Sequence, residues 1–537
     1  MRDGVDGGHR PDDIKGGHRP PLRPPMQPPM QPPAQHPEEA LRLTRRRLLE
    51  LGGGAAGLAM AGADPTRALG APAAATNVVV IVLDNVRADY LRSKRIRTPN
   101  LDRLASESLR FSRYRPEVFP TIPARRSIMT GRRIYPFRGW RPVRGLPGEP
   151  GWEPIARNVP VFTDLLGRAG YRTGYVTDNP HILGPAYDGF MRRFDRAVPI
   201  KGQVPLRGKP SGKVTPRQVR RHVIPALRKT FVRGRIGAYL AANAGRDDES
   251  DYLSARVFTA AGQFLEQAAV ARKPFALVVD SFDPHEPWDP PEKYLRMYGS
   301  GRIDGVKAIQ PFSPPGGEAR TWGLSPGDLR RVRNLYAAEV TMVDAWLGRF
   351  LDRLDALGLA KSTAIVLCSD HGVLLGERGQ VGKHSSQMHR EVTEVPLMIR
   401  HPRGRRAGTT SGYFASTHDI APTVLALLGQ KVPRGMDGVD LSVIFRGGRP
   451  PRRGHQTASY GRYVSATDGR WLLIADNQGR EKKLYDTRRD RGERRDVAAG
   501  HPAVVRRLWG HVIRDAGGKR LPALASAASP ADVSRSL

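Results

Sequence analysis

The chain has 537 residues, 39% of them hydrophobic, and a formal net charge of +35. That length can bury one large core and a smaller one, and the single cysteine, Cys368, excludes a fold stapled by intrachain disulfides. Outside the N-terminal region no stretch offers about 18 uninterrupted apolar residues, which argues against a membrane-spanning helix in the mature protein.

Residues 1–43 hold two Gly-Gly-His-Arg-Pro repeats and Pro-Pro-Met-Gln repeats. Proline at this density cannot build a helix or sheet interior, so a disordered or polyproline segment is expected. Residues 44–75 begin Thr44-Arg45-Arg46-Arg47-Leu48-Leu49, continue through a weakly apolar, Gly-broken stretch, and contain Ala71-Pro72-Ala73 as a plausible cleavage site. The pattern resembles a twin-arginine export signal. It implies the export machinery as a partner and the periplasm, cell wall or exterior as the destination. Residues 1–76 carry ten Lys/Arg against eight Asp/Glu, so about +33 of the charge lies in the rest. A basic surface favours anionic partners.

From residue 76 the apolar runs begin. Asn77-Val-Val-Val-Ile-Val-Leu-Asp84-Asn85 reads as a buried parallel strand ending in two oxygen ligands. Thr98-Pro-Asn-Leu-Asp102 opens a helix, and Thr121-Ile-Pro-Ala-Arg125-Arg-Ser-Ile-Met-Thr-Gly131 follows, with a hydroxyl and a guanidinium at the start of another. A helix is expected over Val161–Ala169 and a strand over Tyr171–Thr177, with Asp178-Asn179-Pro180-His181 at the strand's end. Between Lys201 and Arg246 there are twelve Lys/Arg and no acid. Part of this segment, Pro216 to Tyr239, could form a helix with a basic face, either a solvated insertion or a clamp for an anionic polymer or lipid. Few aromatics interleave to stack bases, so nucleic acid is not an expected partner.

A further buried strand, Phe275–Phe282, leads into Asp283-Pro-His285-Glu-Pro-Trp288. Ser325-Pro-Gly-Asp328 is a capped helix start, and Leu335, Met342, Trp346, Phe350, Leu354 and Leu357 recur at helical spacing up to Gly358. Thr363-Ala-Ile-Val-Leu-Cys-Ser-Asp370-His371-Gly372 is another buried strand, in which Cys368 reads as a small core residue. Gly382-Lys383-His384 lies on a loop beyond it. Residues 431–515 are expected to form a small antiparallel α+β subdomain, with a strand over Gly469–Ile474 and a helix over 502–514; residues 516–537 read as a flexible tail. In open α/β sheets, ligands sit at the carboxyl ends of the strands. Two such ends bearing hard ligands, with a hydroxyl beside them, point to a metal-activated nucleophile.

The eleven residues from Thr121 resemble the sulfatase signature C-x-P-S-R-x-x-L-x-T-G, with Thr121 at the nucleophile and Ala124 at the Ser. The likeness extends from about Asn77 to about Leu508. His285 matches the family's P-H-x-P histidine, His181 the histidine of G-K-W-H, Lys383 the lysine of G-K-x, and Asp419-Ile-Ala-Pro-Thr423 the D-x-A-P-T helix start; His418 beside it stays open. The resemblance is to the sulfatase branch of the alkaline-phosphatase superfamily. It implies residues 76–430 as a catalytic α/β domain, a large mixed and mostly parallel sheet sandwiched by helices.

It further implies Asp84, Asn85, Asp370 and His371 as ligands of one divalent cation, Ca²⁺ or Mg²⁺ first and Mn²⁺ or Zn²⁺ as alternatives. Thr121 would be the nucleophile, held by Arg125. Lys383, His181 and His285 would neutralise the substrate's oxygens or protonate the leaving group, and Asn179 and His384 would line the substrate. Asp280, Asp283, His285 and His418 are the residues from which a second metal site would have to come, and their spacing fits poorly. Two departures matter. Asn179 stands where the family has lysine, and threonine cannot yield the formylglycine aldehyde, so none is expected. The expected activity is hydrolysis of sulfate or phosphate mono- or diesters through a threonyl ester, on an anionic substrate such as a sulfated or phosphorylated glycan or lipid. A phosphoglycerol- or phosphoethanolamine-type transferase and a non-catalytic anion-binding protein are the alternatives.

Overall fold

Seven-residue apolar runs, rich in Val and Ile, place both faces of a strand in the core, and they form the centre of the sheet. The computed structural model describes residues 76–143, 146–203, 215, 235–299 and 324–524. The N-terminal Pro-rich segment, residues 44–75 expected to be an export signal, and most of the basic 201–246 segment lie outside the described residues. The large sheet has eight strands among those described: β1 (Asn77–Leu83), β2 (Leu109–Phe111), β3 (Arg172–Thr177), β4 (Arg196–Pro199), β5 (Phe275–Ser281), β6 (Thr363–Ser369), β9 (Leu397–Arg400) and β10 (Thr410–Ser411). A short hairpin, β7 (Leu374–Leu375) and β8 (Val381–Gly382), lies between β6 and β9 in the chain. The sheet order is β10-β2-β9-β6-β1-β5-β3-β4. The strands from β6 to β4 run parallel, while β9 is antiparallel to both β6 and β2.

The pleat divides the core in two. Val79, Ile81 and Leu83 face the long helices Leu253–Ala271 and Pro326–Ala356, through residues such as Phe258, Tyr336 and Phe350. Val78, Val80 and Val82 face the Thr121–Thr130 and Ile420–Leu427 helices, through Ile122, Ile128 and Val424. Cys368 is fully buried on this second face, as its sequence context predicts. The Pro326 helix starts at Ser325, whose hydroxyl accepts from Asp328 N at 3.1 Å, and stops before Gly358 at φ 69°. The Thr121 helix stops at Gly131, whose φ of 67° suits glycine.

The C-terminal sheet, β11 (Gln456–Tyr460), β12 (Tyr463–Thr467), β13 (Trp471–Asp476) and β14 (Lys483–Asp486), is antiparallel in that order and covered by the Pro502–Asp515 helix. β13 begins two residues later than the sequence suggests because Gly469, at φ 88°, belongs to the turn. The expectation of a flexible tail from residue 516 needs correction over its first part. Leu521 is buried in the subdomain core. Arg138 donates to the carbonyls of Ala516, Lys519 and Arg520, and Asn477 donates to Pro522 O at 2.7 Å. Residues 525–537 lie outside the described residues. Among the described residues no helix is long and apolar enough to cross a membrane.

Candidate active site

The register of the central strands assembles the site. Leu83 pairs with Ser369 on one side and Ser281 on the other, so the residues that follow, Asp84 and Asp370, leave adjacent strands side by side. Asn85 turns the chain at φ 69°, a left-handed conformation that asparagine tolerates, and its backbone N donates to Asp370 Oδ1 at 3.1 Å. Gly372 is required after His371, since a Cβ there would lie 2.1 Å from Glu391 O. One ligand atom from each of Asp84, Asp370 and His371 falls within 4.8 Å of the others, and all three residues are fully buried.

These donors fit a cation. His371 Nδ1 faces Gly372 O at 3.1 Å and must therefore carry the ring proton. Its Nε2 then presents a lone pair to Asp84 Oδ1 at 3.5 Å and Asp370 Oδ2 at 3.4 Å. Asp84 Oδ1, Asn85 Oδ1 and His371 Nε2 have no hydrogen-bond partner although all are buried. Converging buried lone pairs are costly unless a cation receives them. Burial, followed by the neighbouring Asp370, raises Asp84 well above the usual carboxylate range, and burial pushes His371 down to about 4.

Arg125 lies four residues into the Thr121 helix and is 3% exposed. Its Nη1 reaches Asp84 Oδ2 at 3.0 Å, Thr121 O at 3.2 Å and, more closely, Asp370. Its Nη2 donates to Asp280 Oδ1 at 2.6 Å, and its Nε lies 3.2 Å from both Asp280 oxygens. Tyr175 from β3 donates to Asp280 Oδ2 at 2.6 Å. Arg125 therefore binds Thr121, buried at the first turn of its helix, to the Asp84 and Asp370 carboxylates.

Across the cluster, the loop after β5 presents His285 and Glu286. His285 Nδ1 donates to Glu286 O at 2.6 Å, so Nε2 accepts from Lys383 Nζ at 2.9 Å. Burial and Lys383 hold this imidazole well below its ordinary pKa. Lys383 also donates to Glu286 Oε1 at 2.8 Å, and Asn85 Nδ2 donates to Glu286 Oε2 at 3.2 Å. Of the three residues expected to neutralise the substrate's oxygens or protonate the leaving group, His285 is here paired with Lys383. His181 packs edge-on to Trp152 at 4.8 Å and near Phe282 at 6.0 Å. Asn179 Oδ1 accepts from His181 N at 3.0 Å, while its buried Nδ2 has no hydrogen-bond partner. His384 turns its Nε2 towards Val381 O at 3.3 Å, in its own hairpin.

Three contributors were not legible as site residues. Asp280 was weighed only for a second metal, yet it belongs to Arg125; Asp283, weighed with it, bonds to Gln203 and Ser254 N. Tyr175 carries no motif. Glu286 could have been flagged, as a carboxylate held between two prolines and beside a histidine. His418 is buried against Arg453 and Asp419 at the start of the Ile420 helix, and burial pushes it down to about 3, a structural position.

Comparisons place this geometry in a family. The Sulfatase family model matches residues 76–430. The "Multifunctional alkaline phosphatase superfamily protein PehA" of Trinickia caryophylli is 26% identical over 430 residues, covering 70% of this chain and 78% of that protein. The "Ulvan-active sulfatase" of Formosa agariphila is 26% identical over 381 residues, covering 70% and 66%. Among solved structures, the phosphonate monoester hydrolase of Agrobacterium radiobacter superposes with a TM-score of 0.62 at 21% identity, covering 82% of this chain and 95% of that one. A protein solved with its substrate D-glucosamine-2-N,6-O-disulfate gives a TM-score of 0.63 at 20% identity, covering 83% and 99%. With its carboxylate-histidine cluster at the ends of β1 and β6, the chain belongs to the sulfatase family of the alkaline-phosphatase superfamily, a family of ester hydrolases.

Proposed function

We propose that this protein is a metal-dependent hydrolase of sulfate, phosphonate or phosphate esters that works through a covalent ester on Thr121. The observation that carries the reading is the convergence of unpartnered buried lone pairs on Asp84, Asn85 and His371 beside Asp370, with Arg125 linking that cluster to Thr121. Asp84, Asn85, Asp370 and His371 would hold one divalent cation, and hard oxygen donors with one imidazole suit Ca²⁺, Mg²⁺ or Mn²⁺ and admit Zn²⁺. When bound there, such an ion lowers the pKa of a hydroxyl and draws charge from the oxygens of an ester.

The chain's own residues account for the rest. Thr121 Oγ1 attacks the sulfur or phosphorus in line, the bond to the leaving oxygen breaks, and a threonyl ester forms. Threonine has no aldehyde hydrate through which to expel the product, so water attacks the same central atom and restores the hydroxyl. Arg125 is consumed by Asp84, Asp280 and Asp370 and positions both Thr121 and the metal ligands. Lys383 is the donor placed to neutralise an equatorial oxygen or protonate the leaving oxygen, and Asn179 Nδ2 is a second buried donor for the anion. The sequence relatives, which include an ulvan-active sulfatase and a multifunctional alkaline phosphatase superfamily protein, support the substrate range.

Hydrolysis of nitrophenyl sulfate, phosphonate and phosphodiester by wild type and Thr121→Ala, with and without Mg²⁺, Ca²⁺, Mn²⁺ or Zn²⁺, tests the reading. Metal-dependent turnover lost in the variant supports it; turnover retained without Thr121 refutes the covalent step. Residues 44–75 are proposed to export the folded enzyme by the twin-arginine route. Replacing Arg45–Arg47 with lysine should hold it in the cytoplasm.

A further inference from the structure

The β7–β8 hairpin runs out to Glu377-Arg378-Gly379 at its tip and returns to Lys383. A cavity of about 650 Å³ lies at that tip, bounded on its other side by β14 and the loop after it, a volume within the range of ligand sites. Arg333, Arg378, Lys483 and Arg494 line it, together with Glu377, Glu391 and Glu493. The carboxylates are already engaged. Glu377 Oε1 accepts from Arg87 Nη1 at 2.8 Å, and Glu493 Oε2 accepts from His389 Nδ1 at 2.9 Å and from Arg390 N at 3.1 Å. Glu391 Oε2 lies 3.5 Å from Arg378 Nη2, which also donates to Gly492 O at 2.9 Å.

The cations are not used up in the same way. Arg333 donates through Nε to Leu375 O at 2.8 Å, and among the described residues neither it, Lys483 nor Arg494 forms an ion pair. Arg378 Nε is buried without a hydrogen-bond partner. Lys483 and Arg494 are exposed at the rim, and so are Arg488, Arg489, Arg491 and Arg495 on the loop after β14. The two sides of the cavity also hold strained backbone. Arg378 at φ 55° and Glu493 at φ 49° are left-handed residues that are not glycine. Such residues persist where their surroundings fix them, and they cluster at ligand sites.

We infer that this cavity is a second anion site, taking a sulfate, phosphate or carboxylate group through Arg333, Arg378, Lys483 and Arg494. Guanidinium forks match the oxygens of such a group with parallel hydrogen bonds, and the arginines around the mouth concentrate anions there. None of these residues belongs to the cluster at the ends of β1 and β6, so the inference goes beyond the hydrolase reading. Two ladder pairs of the hairpin, on the order of 10 Å, separate Lys383 from the tip. The occupant is either a free anion or a second charged group on a molecule held at Lys383, and that spacing admits both.

Hydrogen exchange on the full chain, read by mass spectrometry, separates this site from the catalytic one, because its reporters are the amides of residues 376–380 and 486–494. Sodium sulfate should slow exchange there by roughly threefold or more relative to sodium chloride at equal ionic strength. Lys483→Glu with Arg494→Glu, at two exposed positions, should remove the protection. Arg168→Glu with Arg434→Glu, an equal charge change at exposed positions outside the cavity, should keep it. A sulfated galactose tetrasaccharide is the second probe. Protection by sulfate alone assigns a free-anion site, and protection by the tetrasaccharide but not by sulfate assigns the group to a longer ligand; both support the inference. No protection by either probe, or protection that survives in the Lys483→Glu, Arg494→Glu protein, would overturn it. Ester turnover is not a readout in this experiment, so the hydrolase reading stands or falls separately.

Discussion

Two pairs of buried aspartates lie at the carboxyl ends of the large sheet, and they have opposite chemical meaning. Asp84 and Asp370 follow β1 and β6; Asp178 and Asp283 follow β3 and β5. In the second pair both carboxylates are satisfied by protein donors. Gln203 Nε2 bridges Asp178 Oδ2 at 3.0 Å and Asp283 Oδ1 at 2.8 Å, Phe282 N donates to Asp178 Oδ1 at 2.7 Å, and Ser254 N donates to Asp283 Oδ2 at 3.1 Å. In the first pair Asp84 Oδ2 is ion-paired to Arg125, but Asp84 Oδ1 has no hydrogen-bond partner and a histidine lone pair faces it. Burial alone therefore does not mark a metal site. What points to one is the set of acceptors left over, Asp84 Oδ1, Asn85 Oδ1 and His371 Nε2, because only an added cation can repay their desolvation. The satisfied pair instead joins the loops that carry Asn179, His181 and His285.

The contrast can be broken most sharply at Asp84 and Asp370, the pair proposed to hold the metal. Asp370→Asn or Asp84→Asn should abolish calorimetric binding of Mn²⁺ or Mg²⁺ and lower kcat/KM by on the order of 10³-fold or more. Asp178→Asn should leave metal affinity within about threefold of wild type. Equal losses in the two variants would erase the distinction.

Asp280 comes next. Its removal as Asp280→Ala leaves Arg125 buried without its main carboxylate, and chemical denaturation should show a loss of about 3–5 kcal/mol. Tyr175→Phe, which removes only the donor to Asp280, should cost about 1–2 kcal/mol by the same measurement.

The smallest effect concerns pH. Burial, then Asp283, raises Asp178 to about 8 from an ordinary value of 3.8. Between those values the native state binds more protons than the unfolded state, so this group's contribution to stability falls as pH rises and levels off above pH 8. In Asp178→Asn that slope disappears. The melting temperature of the variant, relative to wild type, should rise by a few degrees between pH 5 and pH 9. A difference independent of pH would show that the pair stays ionised throughout.

Much of the frame was legible because its signals are local. The runs at Asn77, Phe275 and Thr363 are too uniformly apolar for anything but strands covered on both faces, and each became one within a residue of the expected bounds. The cap at Ser325 and the stop at Gly358 are backbone chemistry readable from a few neighbouring residues. The ordered stretch 516–524 was not legible, since it is held by partners distant in sequence: the Arg138 and Asn477 donors and the core that buries Leu521. The orientation of His384, with Nε2 towards Val381 O, was not legible for a related reason: adjacency to Lys383 in sequence says nothing about which way a hairpin turns each side chain.

The sequence by itself determined that Asp84, Asn85, Asp370 and His371 would stand at strand ends, that Thr121 and Arg125 would open a helix, and that no formylglycine could form at Thr121. Only the tertiary structure decided which charges meet. The pairing of Leu83 with Ser369 brings Asp84 beside Asp370 across 286 residues of chain. The pleat of β5 turns Asp280 to the face that carries Arg125, and the loop beyond it sets Glu286 between Lys383 and Asn85. Strand and helix signals are short-range, whereas the partner of a buried charge is fixed by register and crossover between distant segments, and electrostatics in a dry site depends on those few ångströms.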